Sequence, residues 1–211
     1  MEKRIFLVRH AEAAGIDQQK RYLGQQDPDL SPLGINQAQK LCMAFTSFPI
    51  KAVFTSDLVR AVNTASLIAN DHHCRIEKIK EFREINLGTW EGRAIKEIQA
   101  QHPEEYEQRG RDIANYRTPG GESFADLQKR ALPAFTKVAE ETEGDLVIVA
   151  HAGVNRVILC HLMQRPLEEL FSIPQDHAAV NIIRENNGSY RVVTVNMALG
   201  SLMSSLRDKI S

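Results

Sequence analysis

A chain of 211 residues with 43% hydrophobic and 25% charged side chains has the make-up of an ordinary packed protein, and excludes a disordered, collagenous or membrane-embedded class. Twenty-six Lys and Arg balance twenty-seven Asp and Glu, for a formal net charge of −1, so there is no overall field to draw in a nucleic acid or an anionic membrane. The apolar run after the charged Glu2-Lys3-Arg4, Ile5-Phe6-Leu7-Val8, is far shorter than a signal-peptide core or a membrane span.

In chain order, Ile5-Phe6-Leu7-Val8 reads as a strand covered on both faces. Ser31-Pro32 reads as an N-cap followed by proline at the first helical position, with Leu33, Gln37, Leu41 and Phe45 continuing at helical spacing. Ala52-Val53-Phe54-Thr55 is a second strand, and Ser56 or Asp57 is placed to cap a helix over residues 58–69. Residues 99–121, polar and broken by Pro103, Gly110, Pro119, Gly120 and Gly121, read as the least ordered stretch, either a lid or rim or a plain surface excursion. Ser123 caps a helix over 124–141 that Pro133 is expected to kink or divide. Leu146-Val147-Ile148-Val149 is a third covered strand, and Gly153 opens a helix over 154–163. Val180-Asn181-Ile182-Ile183, the Asn187-Gly188 turn and residues 190–195 form an antiparallel hairpin. Strands alternating with helices imply a layered α/β domain with a largely parallel sheet, mixed at that edge. With no repeat, low-complexity stretch or linker in view, residues 1–211 read as a single domain.

Two strands end alike: one runs into Arg9-His10-Ala11-Glu12, the other into His151-Ala152-Gly153. Ligands of open α/β sheets sit beyond the carboxyl ends of the strands, so two histidines at two such ends point to a shared pocket. A third strand end, at Thr55, leads into a helix whose start carries Arg60. Arginine binds phosphate oxygens through a planar fork that lysine cannot copy, and the free N–H groups at the helix start after His151, Ala152 among them, add donors. Two arginines and two histidines are a suitable shell for a tetrahedral dianion.

These residues, together with Ser56-Asp57-Leu58-Val59-Arg60-Ala61, Thr64-Ala65, Phe82-Arg83-Glu84-Ile85-Asn86-Leu87-Gly88, Trp90-Glu91-Gly92 and Gly120-Gly121-Glu122-Ser123, follow one another in the order found in the histidine phosphatase superfamily. The chain resembles that superfamily over nearly its whole length. The resemblance implies a three-layer α/β/α, phosphoglycerate mutase-like fold with a mostly parallel central sheet. It implies His10 as nucleophile, Arg9, Arg60, His151 and the Ala152 N–H as the phosphate-binding shell, His151 as a catalytic partner, and Glu84 as proton donor. Glu12 and Gly24 become candidate substrate contacts. Ala11 replaces the family's usual glycine, and Ala13 and Ile16 stand where many relatives have Thr and Asn, which bears on substrate range rather than on the core chemistry.

The expected activity is a metal-independent phosphomonoester hydrolase that works through phosphohistidine on a small phosphorylated metabolite, α-ribazole 5'-phosphate or a sugar phosphate being the classes suggested by Arg-Glu-Ile-Asn-Leu-Gly-x-Trp-Glu-Gly and Gly-Gly-Glu-Ser. A cofactor-dependent phosphoglycerate mutase is the alternative, disfavoured by the compact interval between Glu84 and Gly120; a catalytically degenerate binding module is the third. Specificity is assigned to residues 18–28 and 99–121. No cofactor is expected and no metal: adjacent residues such as His72-His73-Cys74 seldom converge on one ion. His102, His161 and His177 read as surface, core and loop histidines, Trp90 as packing, and Glu122-Ser123 as a cap. Three unpaired cysteines, Cys42, Cys74 and Cys160, suggest a reducing compartment and a cytoplasmic protein with no nucleic-acid or membrane partner; a homodimer is left open.

Overall fold

The computed structural model describes residues 2–15 and 21–198. Ala11, Ala13 and residues 21–28 of the segment assigned to specificity fall within this range; Ile16 and residues 18–20 lie outside the described residues. The elements are β1 (Lys3–Arg9), α1 (Pro32–Phe45), β2 (Ile50–Thr55), α2 (Val59–His72), β3 (Ile76–Lys78), α3 (Ile95–Gln101), α4 (Pro103–Arg111), α5 (Phe124–Glu141), β4 (Asp145–Ala150), α6 (Ala152–Leu162), β5 (Val180–Asn186) and β6 (Ser189–Met197). They form one six-stranded sheet in the order β3-β2-β4-β1-β5-β6. Contacts from β3 through β1 are parallel, whereas β5 runs antiparallel to β1 and to β6.

The alternation of side chains along each strand builds the three layers. Ile5 and Leu7 of β1, with Leu146 and Ile148 of β4, enter one core with Leu127 and Phe135 of α5 and Val154 and Ile158 of α6. Phe6 and Val8, with Val147 and Val149, enter the other with Leu41 and Phe45 of α1 and Ala61, Ala65 and Ile68 of α2. Both faces being covered is why these strands carry no polar alternation. The hairpin between β5 and β6 turns on Asn187 (φ 49°) and Gly188 (φ 79°), the two positive φ values that an Asn-Gly turn supplies.

Ser31 caps α1 by accepting from the Gly34 N–H at 2.9 Å, with Pro32 in the first turn. The inward face of α1 nevertheless differs from expectation: Leu33 is exposed, and Gly34, Ala38, Leu41, Ala44 and Phe45 are buried. Gly34 faces inward because the Glu12 carbonyl lies where its Cβ would stand, 2.0 Å away. The start of α2 also departs from expectation. Its first N–H, from Val59, is accepted by Asp27 at 2.7 Å from a distant loop, and Ser56 reaches only the Leu58 N–H at 3.3 Å. Ser123 forms a reciprocal capping box with Asp126, and α5 runs undivided through Pro133. The stretch 99–121, expected to be irregular, contains the end of α3 and all of α4, a helix with no buried residue, whose polar pattern therefore resembled a loop. The short edge strand β3 was not foreseen; Glu77 and Lys78 face water there, and three residues carry no periodicity. His161, expected in the core, is exposed on α6. Among the described residues no helix is long and apolar enough to cross a membrane.

Candidate active site

β1 and β4 pair in register to their last residues, Arg9 opposite Ala150, so the next residues, His10 and His151, leave the sheet side by side. The His10 N–H donates to the Ala150 carbonyl at 2.9 Å and secures that alignment. The two imidazoles lie 5.0 Å apart between centroids, with exposures of 3% and 0%. Arg60, in the first turn of α2, extends beneath them. Its Nη1 donates to the Gln26 carbonyl at 2.5 Å, its Nη2 to the Gly24 carbonyl at 2.8 Å, and its Nε lies 3.3 Å from His10 Nε2. Arg9 donates from Nη1 to the Gln175 carbonyl at 2.6 Å and from Nη2 to His177 Nε2 at 2.8 Å. Both guanidiniums are thus set in place by backbone and neighbours, which removes the ordering cost from ligand capture.

The protonation of His10 follows from its partner. Nδ1 is 2.7 Å from the Ala11 carbonyl oxygen, which can only accept, so Nδ1 carries the hydrogen and Nε2 keeps its lone pair. Burial, then the charges of His151, Arg60 and Arg9, hold His10 well below the ordinary histidine range, against the smaller opposing effect of the Ala11 bond. Burial, Arg60 and Arg9 do the same to His151. Arg9 is lowered to about 10, chiefly by burial, and remains a cation at neutral pH. Among the described residues, both ring nitrogens of His151 and the Nε of Arg9 are buried without a hydrogen-bond partner. Such groups each cost about 1–3 kcal/mol when left unpaired, and a tetrahedral oxyanion is an acceptor suited to the Arg9 Nε–H and to the single N–H of a neutral His151.

Glu84 enters from the other side. Its carboxylate accepts from the Gly153 N–H at 3.1 Å to each oxygen, at the positive end of α6, and from the Ile85 N–H at 2.9 Å. The segment carrying it is clamped by Arg130, which donates to the carbonyls of Glu81, Arg83 and Glu84 and to Glu122. Glu122 also accepts from the Asn86 N–H at 2.9 Å, so this residue ties the Glu84 segment to α5, beyond the capping role read from sequence. Gly153 leaves room for Glu84: a Cβ there would sit 2.3 Å from its Oε1.

A cavity of about 240 Å³ is lined by Arg9, His10, Gly24, Arg60, Glu84, Ala152 and Gly153, and by Arg21, Tyr22, Arg109, Phe124, Arg156 and Phe171. It adjoins a cleft of about 900 Å³ that shares Arg9, Arg21, Leu23, Arg156 and Phe171. His10, Arg9, Arg60, Glu84, Ala152 and Gly24 are therefore brought together, with His151 packed beside His10. Glu12 is not: its carboxylate accepts from Ser31 Oγ at 2.7 Å and does not line the cavity. Trp90 is packing, 1% exposed. Sequence reasoning missed His177, whose ring is 5.6 Å from that of His10 and which burial and Arg9 lower to about 4. It precedes β5, and only the antiparallel pairing of β5 with β1 carries it to Arg9. Arg156 and Arg109 were missed as well; Arg156 had a faint signal, lying five residues after His151 on the helix that His151 opens. His72 ends α2, His73 is its left-handed cap, and Cys74 Sγ lies 3.3 Å from the Ile50 carbonyl. Among the described residues no group of three or more His, Cys, Asp or Glu is placed to hold a metal ion.

The profile of the histidine phosphatase superfamily (branch 1) matches residues 5–198. The chain belongs to this superfamily. Phosphoserine phosphatase 1 of Hydrogenobacter thermophilus is 27% identical over 195 residues, covering 92% of both chains. The metal-independent phosphoserine phosphatase of Arabidopsis thaliana is 33% identical over 169 residues, 76% of this chain and 68% of that one. Human 6-phosphofructo-2-kinase/fructose-2,6-bisphosphatase 4 is 32% identical over 168 residues, which are 79% of this chain and 34% of that protein. Among solved structures, the α-ribazole phosphatase of Shigella flexneri matches with a TM-score of 0.83 at 26% identity, covering 92% of this chain and 96% of that one. A mycobacterial glucosyl-3-phosphoglycerate phosphatase matches with a TM-score of 0.84 at 25% identity, covering 94% and 100%. Like these histidine phosphatases, the chain has the three-layer phosphoglycerate mutase-like architecture, and it is a phosphoric monoester hydrolase.

Proposed function

We propose that the chain hydrolyses small phosphorylated metabolites without a metal, through a phosphohistidine on His10. The observation that carries this reading is a neutral His10 whose Nε2 lone pair stands beside Arg60 while its Nδ1–H is tied to Ala11. The Nε2–P bond forms as the ester P–O bond breaks, Arg9, Arg60 and His151 stabilise charge on the equatorial oxygens, and Glu84 gives its proton to the leaving alkoxide. Water then attacks phosphorus, Glu84 takes a proton from it, and the N–P bond breaks to release phosphate and neutral His10. The two arginines supply the charge that Mg²⁺ supplies in many phosphoryl-transfer sites.

α-Ribazole 5'-phosphate and sugar phosphates are the substrate classes that the motifs favour, and phosphoserine is named for two of the relatives. The balanced charge supports a metabolite over a nucleic acid, and three free cysteines support a cytoplasmic setting. Mixing the protein with ³²P-labelled substrate and quenching in base should trap an alkali-stable, acid-labile adduct that His10→Ala abolishes, in the presence of EDTA as in its absence. Label on His151 would reverse the roles of the two histidines, and activity lost to EDTA and restored by Mg²⁺ or Zn²⁺ would overturn the metal-free mechanism.

A further inference from the structure

Arg9 and Arg60 match the two charges of a phosphate monoester, yet the same cavity is lined by Arg109 and Arg156. Neither belongs to the phosphate shell described above. Arg109 comes from α4 and is held between aromatic faces, its Cζ 5.6 Å from the Tyr22 centroid and 5.8 Å from that of Phe124. Arg156 comes from α6; its Cζ is 5.2 Å from the Phe171 centroid and its Nε donates to the Ile173 carbonyl at 2.9 Å, and among the described residues neither Nη has a hydrogen-bond partner. Burial lowers both guanidiniums from their ordinary range. Among the described residues neither forms an ion pair. Two carboxyls act on Arg156 from beyond ion-pair distance: Glu84, whose oxygens are engaged by the Gly153 and Ile85 N–H groups, and Asp176, which accepts from the Asn196 side chain.

Two half-buried cations with no ion pair among the described residues, steadied by aromatic rings and bordering one cavity, are poorly explained as scaffolding, because burial of charge without a direct partner is costly. The aromatic faces offset part of that cost and orient the guanidinium forks while leaving their N–H edges open. We infer that Arg109 and Arg156 form a second anion subsite, so that the substrate is a compact phosphomonoester bearing a further carboxylate or phosphate. This rests on the phosphatase reading above and narrows it: a neutral alcohol moiety, such as that of α-ribazole, leaves the second subsite unmatched.

The test is competition against p-nitrophenyl phosphate hydrolysis by pairs of esters that differ in the second charge alone: 3-phosphoglycerate against glycerol 3-phosphate, O-phosphoserine against O-phosphoethanolamine, and fructose 1,6-bisphosphate against fructose 1-phosphate. The first two pairs read a carboxylate and the third a phosphate. In at least one pair the doubly anionic member should bind about 10–100-fold tighter, the range of a charge-assisted hydrogen bond, and Arg109→Met and Arg156→Met should each shrink that ratio about tenfold. Orthovanadate inhibition, which reads the phosphate shell, reports whether each variant has kept its fold; Arg109→Gln and Arg156→Gln serve where a methionine variant has not. Ratios within about threefold in all pairs of the unaltered protein, or ratios that survive both substitutions, would overturn the second subsite. Absence of p-nitrophenyl phosphate hydrolysis would instead remove the phosphatase reading beneath it.

Discussion

Substituting Gly153 with alanine isolates the placement of Glu84 from its chemistry. The added Cβ would stand 2.3 Å from Glu84 Oε1 and 3.3 Å from Leu127 Cδ2, and a relaxed C···O contact needs about 3.3 Å, so the carboxylate must retreat by roughly 1 Å. The backbone has little reason to yield, because Gly153 sits in the first turn of α6 with a helical φ, and alanine is a better helix former than glycine by up to about 1 kcal/mol. Stability should therefore change little, whereas a displacement of about 1 Å in a catalytic group can cost roughly 10²-fold in rate. The assay is single-turnover formation of the base-stable phosphoenzyme from an alkyl phosphate and from p-nitrophenyl phosphate. An alkoxide leaving group needs the proton and should lose about 10²-fold; a nitrophenolate hardly needs it and should lose far less. Glu84→Gln sets the reference, with an expected loss of roughly 10²–10⁴-fold for the alkyl ester. Because both changes act through one carboxyl, the double variant should be no slower than Glu84→Gln alone. Equal losses for the two esters, or losses that multiply in the double variant, would refute the assignment of Glu84 as proton donor.

Histidine burial makes stability depend on pH in a stated direction. His10, His151 and His177 are all lowered in the folded state, the last to about 4, so below pH 6.5 the unfolded chain binds protons that the folded chain does not. Their contribution is fully present above pH 6.5 and declines as pH falls toward 4; melting temperatures should drop across that interval, less steeply for His177→Asn, and a flat profile would contradict the burial argument. Asp27→Ala removes the acceptor of the Val59 N–H and frees the loop whose Gln26 and Gly24 carbonyls hold Arg60. It should cost about 1 kcal/mol in denaturant melts and raise the orthovanadate inhibition constant; a loss of stability with unchanged vanadate binding would mean that the loop does not position Arg60.

The covered strands were legible because both faces demand apolar residues, and the caps at Ser31 and Ser123 because short hydroxyl side chains at helix starts satisfy free N–H groups locally. The same locality explains the placement of His10 and His151: each follows its own strand directly, so a correctly read strand brings its histidine to the shared sheet edge. What failed involves partners far apart in sequence. Asp27 caps α2 across a separation of 32 residues, Glu122, just before α5, and Arg130 within it clamp the Glu84 segment, and His177 meets Arg9 through an antiparallel pairing between residues more than 160 apart. Helix α4 buries none of its residues, so its polar sequence carried no core-facing stripe, yet its Arg109 reaches the cavity. Sequence alone therefore determined the strands, the local caps and the residues at strand ends, where the governing interactions lie within a few residues of one another. Only the tertiary structure decided which loops close over them and which arginines face the cavity, because those choices rest on register and packing between distant segments that leave no periodic trace.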